Sequence, residues 1–334
     1  MIYHEIAVEP TALEDLKDLG LLEGRFGFEH GRLVAFVPAK GKCSESDPSD
    51  LNWRVLVFRH LKTLFPSKDK EIELQLQRIF ESCVWRSRGG SKHEPGESWR
   101  TLAMREHKAK EFSAILCAEP GLCCHPEYSY QGLYSSPEGF PDFLRYPIHV
   151  TDSLKSPEVF LENLRPLITS AKRITLIDPY FNPLPEDEKP SIWHKTLKSL
   201  ATYLVEAKRR TIDINLHTKS PEFDASREKS RINIHPREFV KRSIAHLDGL
   251  FPKETTLSIS SWSERHQGQK FHARYLITDK AGAALEYGTD MRPGQRTDVS
   301  LLPLAKAKER LAEFDCQSPS IYELDANESS NGTR

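Results

Sequence analysis

The sequence predicts an α/β protein: a mixed-sheet α/β sandwich in the C-terminal half, preceded by an α-rich N-terminal region. Three observations lead there. From Arg173 onward, apolar runs of strand length alternate with amphipathic stripes, in the order strand–helix–strand–helix–strands. Before Tyr146 the apolar periodicity is mostly helical. The chain has 334 residues with 38% hydrophobic and 28% charged content, which suits a globular protein of one large domain or two ordinary ones.

In the N-terminal region, Thr11 and Glu14 have capping-box spacing, and Leu13, Leu16 and Leu19 follow, so a helix is expected to begin there. Leu33 to Val37 is a short apolar run that suits a buried strand. Gly41 to Asp50 reads as a loop. Ile72, Leu76, Ile79, Phe80 and Cys83 fall on one helical face, which Arg88 to Gly96 interrupts. Trp99 to Leu116 is a further helix candidate. Pro120 to Pro147, rich in Pro, Gly, Ser and Tyr, reads as the connection between domains. The expected division is residues 1–145, 146–321, and a frayed polar tail over 322–334.

The second part is more regular. Ser156-Pro157-Glu158 is a helix start, with Phe160, Leu161, Leu164, Leu167 and Ile168 as its buried stripe. Arg173 to Phe181 reads as a strand containing Asp178-Pro179-Tyr180. Trp193, Leu197, Leu200, Ala201 and Leu204 mark a helix, and Thr211 to Leu216 alternates as a strand. Val240, Ile244, Leu247 and Phe251 mark the next helix. Strands are expected at Leu257–Trp262, Phe271–Thr278, Ala283–Tyr287 and Val299–Leu302, then a helix through Lys306–Phe314.

The formal charge is −1, so any contact with nucleic acid or acidic lipid must come from a local patch. No apolar run approaches the roughly 18 residues of a membrane span. Met1 to Glu5 has no basic stretch followed by an apolar block, so no secretory signal is expected, and six irregularly spaced cysteines read as reduced thiols of a cytoplasmic protein. Cys117, Cys123, Cys124 and His125 lack zinc-site spacing and read as buried thiols. No metal or other cofactor is expected, and no phosphate-binding Gly loop, serine-nucleophile elbow or dinucleotide fingerprint is present.

The segment that carries chemistry is Phe271-His272-Ala273-Arg274-Tyr275-Leu276-Ile277-Thr278-Asp279. On a strand, His272 and Arg274 face the same way. An imidazole can attack phosphorus while a neighbouring cation neutralises the equatorial oxygens. This segment resembles the signature of the phospholipase D superfamily, His-x-Lys-x4-Asp, with Arg274 in place of Lys. Gly288-Thr289 resembles the family's downstream Gly-Ser pair, although Met291 falls where Asn is usual and Asp290 is one position early. Asp178-Pro179-Tyr180 looks like the end of the family's first strand, which lines the site. The resemblance covers about Tyr146 to Ile321.

The resemblance implies a metal-independent phosphodiesterase, with His272 as nucleophile, Arg274 as phosphate clamp and Asp279 as the motif's acid. It implies a homodimer, because one motif supplies one of two required imidazoles. Single-motif relatives include nucleases, and such domains recur in bacterial restriction and phage-defence systems, so a nuclease within a larger defence-type complex is the leading expectation. The alternative is a catalytically inactive module that binds the phosphate of nucleic acid or lipid as a subunit of a complex, as some His-x-Arg relatives do.

A second literal match, His217-Thr218-Lys219-x4-Asp224, reads instead as a strand end leading into a charged loop, because Pro221 and its polar neighbours do not continue a central strand. It still sets His217 at the end of a strand beside the site. Candidate nucleic-acid contacts are Arg86, Arg88, Lys92 and Trp99, where aromatic and basic residues interleave, and Lys219 and Arg227 in a locally basic stretch.

Overall fold

The computed structural model describes residues 2–38, 52–85, 96–119, 121–146, 150–154, 159, 161–185, 190–207, 211–221, 234–286, 296–315 and 321–330. The chain divides into two compact units, Tyr3–Ile148 and His149–Arg334. It is mixed α/β, with ten α-helices and two sheets among the described residues.

The first unit runs β1 (His4–Val8), a 3-10 turn (Pro10–Ala12), α1 (Leu16–Arg25), β2 (Arg32–Ala35), α2 (Trp53–Leu64), α3 (Asp69–Ser82), β3 (Val84–Trp85), α4 (Trp99–Ala109), β4 (Ala114–Cys117), β5 (Cys123–Cys124), β6 (Glu127–Ser129), α5 (Tyr130–Ser135) and α6 (Asp142–Arg145). Its six strands lie in the order β3-β2-β1-β4-β6-β5, and every pairing except β5 with β6 is parallel. Side chains alternate across this sheet. Ile6, Val8, Val34, Ala114 and Leu116 pack with residues of α1, α2 and α3, while Ala7, Ala35, Ile115 and Cys117 pack with Leu102 and Ala103 of α4.

The helices expected in this region are joined by a six-stranded sheet, of which the sequence predicts only the strand at Leu33 to Val37. Strands covered on both faces are short continuous apolar runs without alternation, and such runs do not differ in periodicity from buried helix segments. The stretch Trp99–Leu116 is accordingly a helix followed by a strand. Residues 121–146 are not a connection: β6 pairs with β4, and Tyr130, Leu133, Phe140 and Leu144 join the core. The first long helix begins at Leu16, capped by reciprocal hydrogen bonds between Asp15 and Asp18, not by Thr11 and Glu14.

The second unit runs β7 (Val150–Leu154), α7 (Glu162–Ser170), β8 (Arg173–Ile177), α8 (Ile192–Glu206), β9 (Ile212–Lys219), α9 (Pro236–Leu247), β10 (Thr255–Glu264), β11 (Tyr275–Thr278), β12 (Gly282–Leu285), β13 (Arg296–Leu302), α10 (Leu304–Ala312) and β14 (Tyr322–Ser330). Eight strands form one sheet, β14-β10-β9-β8-β11-β12-β13-β7. The adjacent strands β8, β9 and β10 are parallel; β11 is antiparallel to β8, so the start of β11 shares an edge with the carboxyl end of β8.

Two expectations are corrected here. Residues 322–330 are not a frayed tail, because β14 pairs with β10 along its length and buries Tyr322. Strand β9 continues through His217 to Lys219, with Lys219 opposite Trp262. It ends at Lys219, three residues beyond the expected end at Leu216 and two before Pro221.

Candidate functional site

Strands β8, β9 and β10 end on one edge, and the chain between β10 and β11 returns along it. In open α/β sheets ligands bind outside the carboxyl ends of parallel strands, where successive connections diverge to either side. Here β8 leads to β9 on one side, while β11 closes on the other.

On that edge Arg274 is held by three groups. Its Nε lies 3.9 Å from Asp178 Oδ1, its Nη1 donates to the Glu286 carbonyl at 2.5 Å, and its guanidinium lies 5.0 Å from the centre of the Tyr180 ring. Asp178 is buried, and the same Oδ1 accepts the Tyr180 amide at 3.0 Å. The carboxylate thus fixes both the cation and the turn that carries the tyrosine. Arg274 itself precedes β11, although its carbonyl accepts from the Leu285 amide at 2.9 Å and extends the β12 pairing.

His272 is exposed on the same segment. Its neighbour Phe271 turns the other way, into an aromatic cluster with Trp262, Phe314 and Tyr322. The Phe271 amide donates to Glu264 Oε1 at 2.9 Å, and Lys219 Nζ lies 3.3 Å from that oxygen. The Glu264 carboxyl is held below its usual range, first by the Phe271 amide, then by Lys219 and by the charge of His272. Glu264 was missed in the sequence, where its one signal is an acid closing an apolar strand. His266, exposed in the same connection, was missed as well.

Arg274 is thus set beside Asp178 and Tyr180, and His272 beside Glu264, both on the segment that runs from β10 into β11. Two expected partners are elsewhere. Asp279 sits beyond the far end of β11 and accepts the amides of Lys172 and Arg173 at 2.7 and 3.3 Å. It secures the start of β8 and does not join His272. His217 lies on the α10 side of the sheet. Its Nδ1 accepts the Trp262 indole N–H at 3.0 Å, and its ring packs on Phe314. Burial lowers its pKa to about 4, so the ring is neutral near pH 7.

Trp99 serves the first unit's packing: its indole donates to the Val37 carbonyl at 2.8 Å, and its ring borders the cluster of Leu102 and Phe112. Thr289, Asp290, Arg86, Arg88, Lys92 and Arg227 lie outside the described residues. Cys117 is buried as expected, and burial raises its thiol pKa to about 12. Cys123 and Cys124, expected buried, are exposed on β5. No group of three His, Cys, Asp or Glu side chains suited to a metal ion occurs among the described residues, and no described helix is long and apolar enough to cross a membrane. No protein-family model and no curated protein matches the chain.

Proposed function

We propose that the second unit is a phospholipase-D-like domain acting as a metal-independent phosphodiesterase on nucleic acid. What supports this reading is an exposed imidazole, His272, two residues from an anchored guanidinium, Arg274, in the segment that enters β11 at the carboxyl edge of three parallel strands. Arg274 would neutralise the phosphoryl oxygens while His272 attacks phosphorus. A P–N bond forms, the P–O bond to the leaving group breaks, and a second imidazole protonates the departing oxygen. Water, deprotonated by that imidazole, then breaks the P–N bond and restores His272. Because His217 faces the α10 side, a second copy of the chain is proposed to supply the second imidazole.

A second reading is favoured by the Arg274–Asp178 pair. The carboxylate offsets part of the cation's charge, which suits a site that holds phosphate without turning it over. The domain would then bind phosphodiester as a subunit of a larger complex. The two readings separate in one assay: cleavage of a labelled oligonucleotide in excess chelator by wild type and His272→Ala. Chelator-resistant cleavage abolished in the variant supports the enzyme. Absence of cleavage by wild type with or without added divalent metal supports the binder. Magnesium-dependent cleavage that survives His272→Ala would refute both.

A further inference from the structure

Tyr180 is 54% exposed, although Asp178 and Phe181 on either side of it are buried at 2% and 4%. A large aromatic ring left in solvent beside a charged site is worth explaining, because burying it would be favourable. Its mounting is rigid. The Tyr180 amide donates to Asp178 Oδ1, the Asp178 amide donates to the His217 carbonyl at 3.0 Å, and the Phe181 amide donates to the Asp178 carbonyl at 3.1 Å. Arg274 lies over the ring, 5.0 Å from its centre.

We infer that Tyr180 is a stacking platform for one nucleobase of a single-stranded nucleic acid whose adjacent phosphate is held by Arg274 and His272. This rests on the phosphodiester reading of the same site and adds its substrate class. A planar base gains from stacking on an exposed tyrosine and offers no net charge to the guanidinium already seated there. A quaternary-ammonium lipid headgroup is disfavoured, because a second cation at this ring would meet the field of Arg274. Duplex is disfavoured because its bases are already stacked on one another; only an unpaired base can lie on the ring.

The test uses the full chain and three fluorescent probes of equal length: a single-stranded oligothymidylate, the corresponding abasic strand, and a duplex. For wild type the expected order of affinity is single strand, then duplex and abasic strand. Tyr180→Ala should weaken single-strand binding about 5- to 100-fold and abasic-strand binding by a much smaller factor, the part due to losing the ring beneath Arg274, while Tyr180→Phe retains binding to both. Arg274→Ala should weaken all three probes. If Arg274→Ala weakens binding but Tyr180→Ala does not, the platform is wrong and the phosphate site stands. If neither variant changes binding, or wild type binds no probe, both fail. Tyr180-dependent binding to phosphatidylcholine vesicles without oligonucleotide binding would overturn the nucleic-acid assignment in favour of lipid.

Discussion

His272 and Asp279 lie beyond opposite ends of β11, so the two outer residues of the His-x-Arg-x4-Asp segment do not share a site. Asp279 accepts two main-chain amides, of Lys172 and Arg173, at the edge where β8 begins. Its role is to fasten β8 to β11, which indirectly sets the depth at which Asp178 and Arg274 emerge at the other edge. Asp279→Ala is expected to lower stability by about 1–2 kcal/mol, the loss of two hydrogen bonds to a charged acceptor at the surface. Oligonucleotide affinity, measured well below the unfolding transition, should stay within about twofold. An affinity loss as large as that of Arg274→Ala would return Asp279 to the site.

His217 makes stability depend on pH in a defined direction. Its pKa in the folded chain is about 4, below the usual imidazole value of about 6.5. Above pH 6.5 folded and unfolded chains are both neutral there. As pH falls from about 6.5 to about 4, the unfolded chain takes up a proton that the folded chain does not. Stability is then lost at up to about 1.4 kcal/mol per pH unit. His217→Gln removes the titration and keeps an acceptor within reach of the Trp262 indole. The variant should lose less stability than wild type between pH 7.5 and 5 in denaturant titrations. His194, also lowered by burial, remains in both proteins and does not confound the difference. Equal slopes for the two proteins would exclude His217 as the source.

The second unit was more legible in the sequence than the first, for a physical reason. Strands β9 and β10 lie in a sheet with one polar-leaning row, and the alternation of Ile212, Ile214 and Leu216 with Asp213 and Asn215 announces a strand. In β1, β2 and β4 helices cover both faces, so nearly every position is apolar and the period disappears. The site shows the same contrast. The two-residue spacing of His272 and Arg274 made them candidates together. The approach of Arg274 to Asp178, and the turning of the His217 side chain to the α10 side, depend on strand order and sheet face, which no local pattern records.

Arg274→Lys tests what the guanidinium does that a point charge does not. Nη1 donates to the Glu286 carbonyl, while Nε lies 3.9 Å from the Asp178 carboxylate at ion-pair distance. A lysine ammonium keeps the charge but is a compact donor group that does not reproduce the planar fork. Phosphodiester binding should therefore persist within about tenfold, whereas Arg274→Ala falls further. In the enzyme reading cleavage by Arg274→Lys is retained or raised, because the lysine is the residue the resembling family uses. Loss of both binding and cleavage on this change would mean that the fork geometry, and not the charge, defines the site.

The two-imidazole mechanism demands a particular assembly. His272 is exposed and available to a partner surface, while His217 is committed to the α10 side. If a second copy completes the site, the protein in solution has twice the 38.2 kDa chain mass, and the two His272 side chains face each other across a twofold axis. Light scattering coupled to gel filtration reads the mass directly. A mixing experiment then reads the shared site. Co-expressed wild type and His272→Ala should give heterodimers that bind oligonucleotide but cleave at a small fraction of the wild-type rate, since each composite site lacks one imidazole. A monomer that cleaves in chelator would remove the need for a partner, and His266→Ala would then be the next variant to assay, because His266 is the other histidine of the β10–β11 connection. A monomer that binds oligonucleotide without cleaving it would leave the phosphate-holding role as the function of this edge.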